Sequence, residues 1–232
     1  MTNKPKSAER KRGSGAQFVY SILRDEILDL TLLPGSPIDE IRLSERLSMS
    51  RTPIREALVR LASEGLVTTL PNRSTVVSNI DFMNLHTFFD AMTLMYRVTT
   101  RLAAQFHTPA DMAAIRARQA EFAKAVAAQD ALSMIATNRE FHAEIARAGR
   151  NPYYESLCLR LLDEGRRLLR MYYQSFDDQL PNEYVQEHED LVATIEARDV
   201  ARADSLAGTH ADQIVQQIQA LISRDRRQHI EL

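Results

Sequence analysis

Residues 43–65 read LSERLSMSRTPIREALVRLASEG, and the fold turns on how this stretch divides. Leu43 and Leu47 are four apart and share one face of a short helix, expected over 40–47. Ser48-Met49-Ser50 breaks the periodicity and reads as a turn. A second helix is predicted over 51–64, because Ile54, Leu58 and Leu61 recur at i, i+4 and i+7. Ser50 is suited to cap its N-terminus. Pro53 sits in the first turn, where a missing N–H costs nothing, and Gly65 ends the helix.

Working outward, Val19, Ile22, Leu23, Ile27 and Leu30 predict an earlier helix over 17–30, stopped by Leu33-Pro34-Gly35. On the other side, 66–70 and 75–78 are β-prone and enclose the turn Pro71-Asn72-Arg73-Ser74. Three helices followed by a hairpin describe a winged helix-turn-helix over 15–79. With Ile54, Leu58 and Leu61 turned inward, Arg51, Thr52 and Arg55 share the exposed face near the helix start. A helix-turn-helix presents that face to base edges in the major groove. An arginine fork matches the O6 and N7 acceptors of guanine. The Ser50 and Thr52 hydroxyls, with the free N–H groups of a helix start, suit phosphate oxygens. Arg73, at the wing tip, is placed to enter the minor groove or hold the backbone. A solvated face with ordinary arginines gives the same local pattern, but the ordered succession of elements favours the DNA-reading one.

Charge is distributed accordingly. Residues 1–80 carry 12 Lys and Arg against 9 Asp and Glu, whereas 81–232 carry 17 against 22. A mildly basic front half can approach phosphate, and the acidic rear half is a poor wrapper of nucleic acid. Residues 1–14 are polar and basic and are expected to form a solvated arm, and 226–232 a tail. At 44% apolar and 26% charged residues, the 232-residue chain has a soluble globular composition, enough for two domains. No apolar run is long enough for a membrane span, and the N-terminus lacks a signal-peptide core, so a cytoplasmic location is expected. The single cysteine, Cys158, excludes an intrachain disulfide and any cysteine-rich zinc module.

From residue 80 to 225 the pattern is wholly helical, with helices expected over 81–106, 110–128, 130–148, 153–176, 183–197 and 199–223. Short connections between helices of that length imply an antiparallel all-α bundle, an effector-binding and dimerisation domain in this reading. Asn138 and His142 share a helix face at i and i+4, and His188 and His210 lie on two further helices. Three helices can thus direct three imidazoles and an amide oxygen at one point, a donor set suited to zinc or nickel. Helical histidines more often sit at surfaces or satisfied in cores. Phe88, Phe89, Met92 and Met95 read as core or dimer contact. Arg166, Arg167, Arg170, Tyr172 and Tyr173 fit either a pocket wall or a partly exposed face. Asp177-Asp178 reads as a solvated loop, and Cys158 as a buried small hydrophobe.

The stretch 43–58 and its continuation Arg60-Leu61-Ala62-Ser63-Glu64-Gly65-Leu66-Val67 resemble the DNA-binding signature of the GntR family. The resemblance covers 17–80 and implies that Arg51 and Arg55 contact bases, supported by Ser50, Thr52 and Arg73. Ser48 and Ser74 stand where the family's turn and wing tip usually have glycine. The rear half resembles the FadR-type effector domain called FCD. Asn138-Arg139-Glu140-Phe141-His142, Asn151-Pro152-Tyr153, Glu187-His188-Glu189, Ala197-Arg198-Asp199 and His210 carry this resemblance. It implies a divalent cation on Asn138, His142, His188 and His210, above a pocket for a small carboxylate. It also implies a homodimer on a near-palindromic operator of double-stranded DNA, released by an organic or sugar acid. Asn138 replaces the usual aspartate. Met92 stands where many relatives carry an effector-binding arginine, so effector contact is assigned to Met92, Tyr96 and the nearby Arg97. Two alternatives stand beside this reading: the same regulator with a metal-free effector site, and a metal-dependent hydrolase with Glu140, Glu144 or Glu187 as base.

Overall fold

A computed structural model describes residues 14–175, 177–178 and 183–228, without the side chains of 224–228. The predicted arm, apart from Ser14, and the last four residues of the predicted tail lie outside the described residues. The chain divides into two compact units, Met1–Ile80 and Asp81–Leu232.

In the first unit, α1 (Ser14–Leu28), α2 (Glu40–Leu47) and α3 (Arg51–Ser63) pack with three short strands. Val19, Leu23 and Ile27 of α1 meet Ile54, Leu58 and Leu61 of α3 in one apolar cluster closed by Leu66, Val67 and Val77. The 3.6-residue period brings each set to one side of its helix. Tyr20 donates its hydroxyl to the Glu64 carboxylate at 2.8 Å, and the Arg60 guanidinium lies 3.6 Å over the Tyr20 ring. The strands are β1 (Pro37–Ile38), β2 (Val67–Thr69) and β3 (Thr75–Val77), ordered β1-β3-β2 and antiparallel throughout. β1 is additional to the predicted elements, since two residues have no period to read. Its Pro37 lacks an N–H and accordingly stands at the sheet edge.

Two features of the turns depart from expectation. Ser50 takes the N-cap position of α3, but its hydroxyl makes no capping hydrogen bond. α2 is capped instead by Asp39, whose carboxylate accepts from Ile41 and Arg42 N–H. Ser48, between the two helices, sits at φ 50°, a left-handed conformation that glycine enters with no Cβ penalty. At the wing tip the left-handed residue is Arg73, at φ 66°, held by its N–H to Leu70 O and by Ser74 bonding to Asn72 Oδ1.

The second unit is a bundle of α4 (Leu85–Phe106), α5 (Pro109–Ala127), α6 (Ala131–Ala148), α7 (Pro152–Gln174), α8 (Glu183–Glu196) and α9 (Val200–Gln228). α4 packs against α6, α7, α8 and α9, while α5 covers α6 and α8. α4 begins at Leu85 rather than 81, because the Asp81 carboxylate binds the N–H groups of Met83 and Asn84 and closes a turn there. Thr108 and Asp111 form a capping box at the head of α5, and Asn151 caps α7. Arg198, at φ 56° between α8 and α9, donates to the carbonyls of Gln105 and His107 and ties down the end of α4. α9 runs through 226–228, where a tail is expected from the sequence.

Candidate functional site

The helical unit brings His142 of α6, His188 of α8 and His210 of α9 together in its interior. All three are buried, at 3%, 0% and 4% exposure. The ring centroids form a near-equilateral triangle with sides of 5.1, 5.2 and 5.1 Å. One nitrogen from each lies within 4.8 Å of the others, so the three could hold a metal ion. Phe141 stacks on His188 at 4.2 Å, Phe122 flanks the same ring at 4.4 Å, and Tyr96 lies 4.4 Å from His142. An aromatic wall thus surrounds a small patch of nitrogen.

Hydrogen bonds at the back of two rings decide which nitrogen faces inward. Gln119 on α5 donates its amide N–H to Val185 O at 3.1 Å, which leaves its Oε1 to accept from His188 Nδ1 at 3.1 Å. Glu187 Oε2 accepts from His210 Nδ1 at 2.8 Å. With Nδ1 carrying the proton, Nε2 of each ring presents a lone pair. The Nε2 atoms of His142, His188 and His210 are all buried without a hydrogen-bond partner. Burial, and then the neighbouring imidazoles, holds His142 and His188 well below the usual histidine range, in the neutral form. Neutral imidazoles anchored at Nδ1 and open at Nε2 are what a divalent cation requires.

Asn138 lies one turn before His142 on α6, is 7% exposed, and lines a cavity of about 470 Å³ beside the histidines. α4 gives this cavity Met92 and Tyr96, while α7 gives it Arg166. Arg97 is not among the lining residues: its guanidinium is paired with Asp204 on α9, at 3.0 and 2.9 Å. Asp204 and Arg97 hold each other at the surface, a partnership that spacing within one helix cannot show. Arg166 and Arg167 are buried, at 8% and 6%, so the partly exposed face considered for them is not what forms. Gln119 escapes a reading of the sequence, because a lone glutamine on a helix carries no motif.

In the first unit Ser50, Arg51, Thr52, Arg55 and Arg73 are all exposed. The first four cluster at the start of α3, and Arg73 stands on the hairpin. Glu40, at the start of α2, accepts hydrogen bonds from Arg51 at 3.2 Å and Arg55 at 2.9 Å. Glu40 belongs to no motif, and only the packing of α2 on α3 shows its role.

A winged helix-turn-helix followed by a helical domain with a buried histidine centre defines a DNA-binding transcription regulator. Residues 15–77 match the bacterial regulatory proteins of the gntR family, and 88–213 match the FCD domain. The chain belongs to the GntR family of regulators, in the group carrying an FCD domain. It is 41% identical over 64 residues to the HTH-type transcriptional repressor RspR of Escherichia coli K12, a match covering 28% of each chain. The match to RspR thus spans little more than a quarter of that relative's length. Longer matches are to McbR of E. coli K12, 24% identical over 84% of this chain and 88% of McbR, and to the repressor GlaR of the same organism. GlaR is 25% identical over 82% of this chain and 90% of its own. The solved structure of E. coli McbR/YncC shares the fold with a TM-score of 0.80, over 90% of this chain and 99% of that one, at 22% identity. The family is one of regulators rather than enzymes, so the hydrolase alternative falls. Among the described residues no helix is long and apolar enough to cross a membrane.

Proposed function

We propose that the chain is a homodimeric repressor whose helical domain holds a divalent cation, zinc or nickel, and releases DNA on binding a small acid. The observation that carries this is the set of three buried Nε2 atoms without hydrogen-bond partners, on rings of which two are anchored at Nδ1. A buried polar atom left without a partner is costly, and converging lone pairs are unfavourable unless something positive joins them. His142, His188 and His210 would hold the ion, with the Asn138 amide oxygen as a further donor. The ion would supply a positive charge in apolar surroundings, for an anionic effector to neutralise. Asn138 brings no charge of its own, so more of that neutralisation falls to the effector.

In the DNA-binding unit, Arg51 and Arg55 read bases, Ser50 and Thr52 hold phosphate, and Arg73 anchors the wing. Two copies of that unit fit two half-sites related by the dimer axis. The effector releases DNA by favouring a dimer geometry that fits the operator poorly. Repression accords with the names of two relatives, RspR and GlaR.

Elemental mass spectrometry of protein purified without chelator, alongside its native mass, tests this reading. About one zinc or nickel per chain in a dimer is expected from a closed set of histidine ligands. A folded, metal-free dimer would overturn the metal centre and leave the histidines structural beside a metal-free effector site.

A further inference from the structure

The cavity beside the histidines has walls of one character. α4 contributes Phe88, Phe89 and Met92, and α9 contributes Ile214, Val215 and Ile218. From Phe88 to Tyr96 is eight residues of helix, so the apolar run along α4 is about 12 Å at 1.5 Å per residue. Polar lining is sparse: the Tyr96 residue, Asn138, and the two arginines Arg139 and Arg166. A sugar acid brings a hydroxyl on nearly every carbon, and each would lose water against these walls with nothing in exchange.

The cation on the wall has an identifiable source. Arg139 has its guanidinium against Asp163 at 3.0 Å and Glu140 at 2.7 Å, so its charge is locally balanced. On α4, the position assigned to effector contact is Met92, whose methyl end lies over Gly165. A Cβ at Gly165 would stand 3.1 Å from Met92 Cε and 3.5 Å from Phe88 Cζ. The missing side chain at 165 thus makes room for apolar groups of α4, and the very next residue is Arg166, 8% exposed and on the cavity wall. The wall of α4 is apolar here, and the charge comes from the facing helix α7.

We propose that this cavity selects an acid with an apolar body, a medium-chain or aryl-alkyl carboxylate, and that Arg166 recognises its carboxylate. This rests on reading the helical unit as an effector domain. The body of the ligand lies among Phe88, Met92, Ile214 and Ile218, and the planar fork of Arg166 meets the carboxylate oxygens.

Calorimetric titration of the full chain with octanoate, 4-phenylbutyrate, gluconate and octan-1-ol tests this, on wild type, Arg166→Met and Arg166→Lys. Metal content and helical circular dichroism are measured on the same samples. Octanoate and phenylbutyrate should bind, gluconate should not, and octan-1-ol should bind at least about tenfold more weakly than octanoate for want of a charge-assisted hydrogen bond. Arg166→Met should lose about tenfold or more for octanoate, and Arg166→Lys should recover part of it as a point charge. Gluconate binding as tightly as octanoate, wild-type affinity in Arg166→Met, or silence from both apolar acids would each overturn the inference. Octanoate binding to metal-free protein would sink the metal centre and leave this inference standing. Gluconate binding to metal-loaded protein would do the reverse.

Discussion

Glu40 Oε2 accepts a hydrogen bond from Arg55 Nε at 2.9 Å, and the same oxygen takes a second from Arg51 at 3.2 Å. Both arginine side chains are more than half exposed, so these pairs add little to stability. Their effect is on position: one carboxylate at the head of α2 fixes where two forks at the head of α3 stand. Glu40→Gln should shift unfolding stability by less than about 1 kcal/mol. The ratio of operator to scrambled-site affinity should fall about tenfold, within the range of one bidentate base contact. Fluorescence anisotropy on the two duplexes reads this directly, and an unchanged ratio would mean that DNA alone positions the arginines.

Arg55 and Arg73 should fail differently. Arg55→Ala removes a base reader and should erase preference at one base position of each half-site. Arg73→Ala should weaken binding nearly evenly across sequences and lower the salt slope by about 1 for each phosphate it no longer holds. Titrations at several salt concentrations separate the two. Operator discrimination retained by Arg55→Ala would refute the assignment of the reading helix.

Gln119 acts through His188 rather than on a ligand. Replacing it with leucine removes the acceptor that keeps the His188 proton on Nδ1. Zinc affinity should drop about 10–100-fold while helical content is kept, as for other residues that orient a metal ligand. Competition against a chromogenic chelator gives the affinity. Wild-type zinc affinity in Gln119→Leu would show that ring packing by Phe122 and Phe141 suffices.

Cys158 is fully buried, and burial pushes its thiol up to about 11. Its folded value lies above the unfolded one, so its contribution to stability is complete below the ordinary thiol range near 8.5 and is lost as pH rises through about 11. In the native protein at about pH 8 the group is a thiol, poorly reactive. Ellman's reagent should label it slowly in buffer and rapidly in denaturant. Equal rates would mean that this part of α7 opens readily.

Much of this fold is legible in the sequence because the apolar periods are strong: Ile54, Leu58 and Leu61 place α3, and the hairpin is bracketed by Pro71 to Ser74. Other features carry no such signal. β1 is two residues long, and its pairing with β3 depends on residues far along the chain. Asp81 ends the linker by bonding its own neighbours, a choice that the downstream helical pattern masks. Among site residues, His142, His188 and His210 are brought together as their helices suggested. The residues that orient two of them, Gln119 and Glu187, are common polar types visible only once α5, α8 and α9 are packed. Arg97 sits beside Tyr96 in the chain, yet its partner Asp204 lies on another helix and holds it at the surface. Arg166 shows the converse, a charge that composition assigns to solvent and packing takes inside.

The small strand β1 has a consequence for how an operator is discriminated. Ile38 pairs with Thr75 of the wing, and the next two residues are Asp39, which caps α2, and Glu40, which grips Arg51 and Arg55. Strain applied at the hairpin therefore reaches the arginine forks through two residues of backbone. Minor-groove width and major-groove base identity are then sensed by one mechanical linkage, and their energies do not add. Operators matched in their guanines but differing in flanking A·T content would be ranked by this regulator as different words, not as one word in two settings.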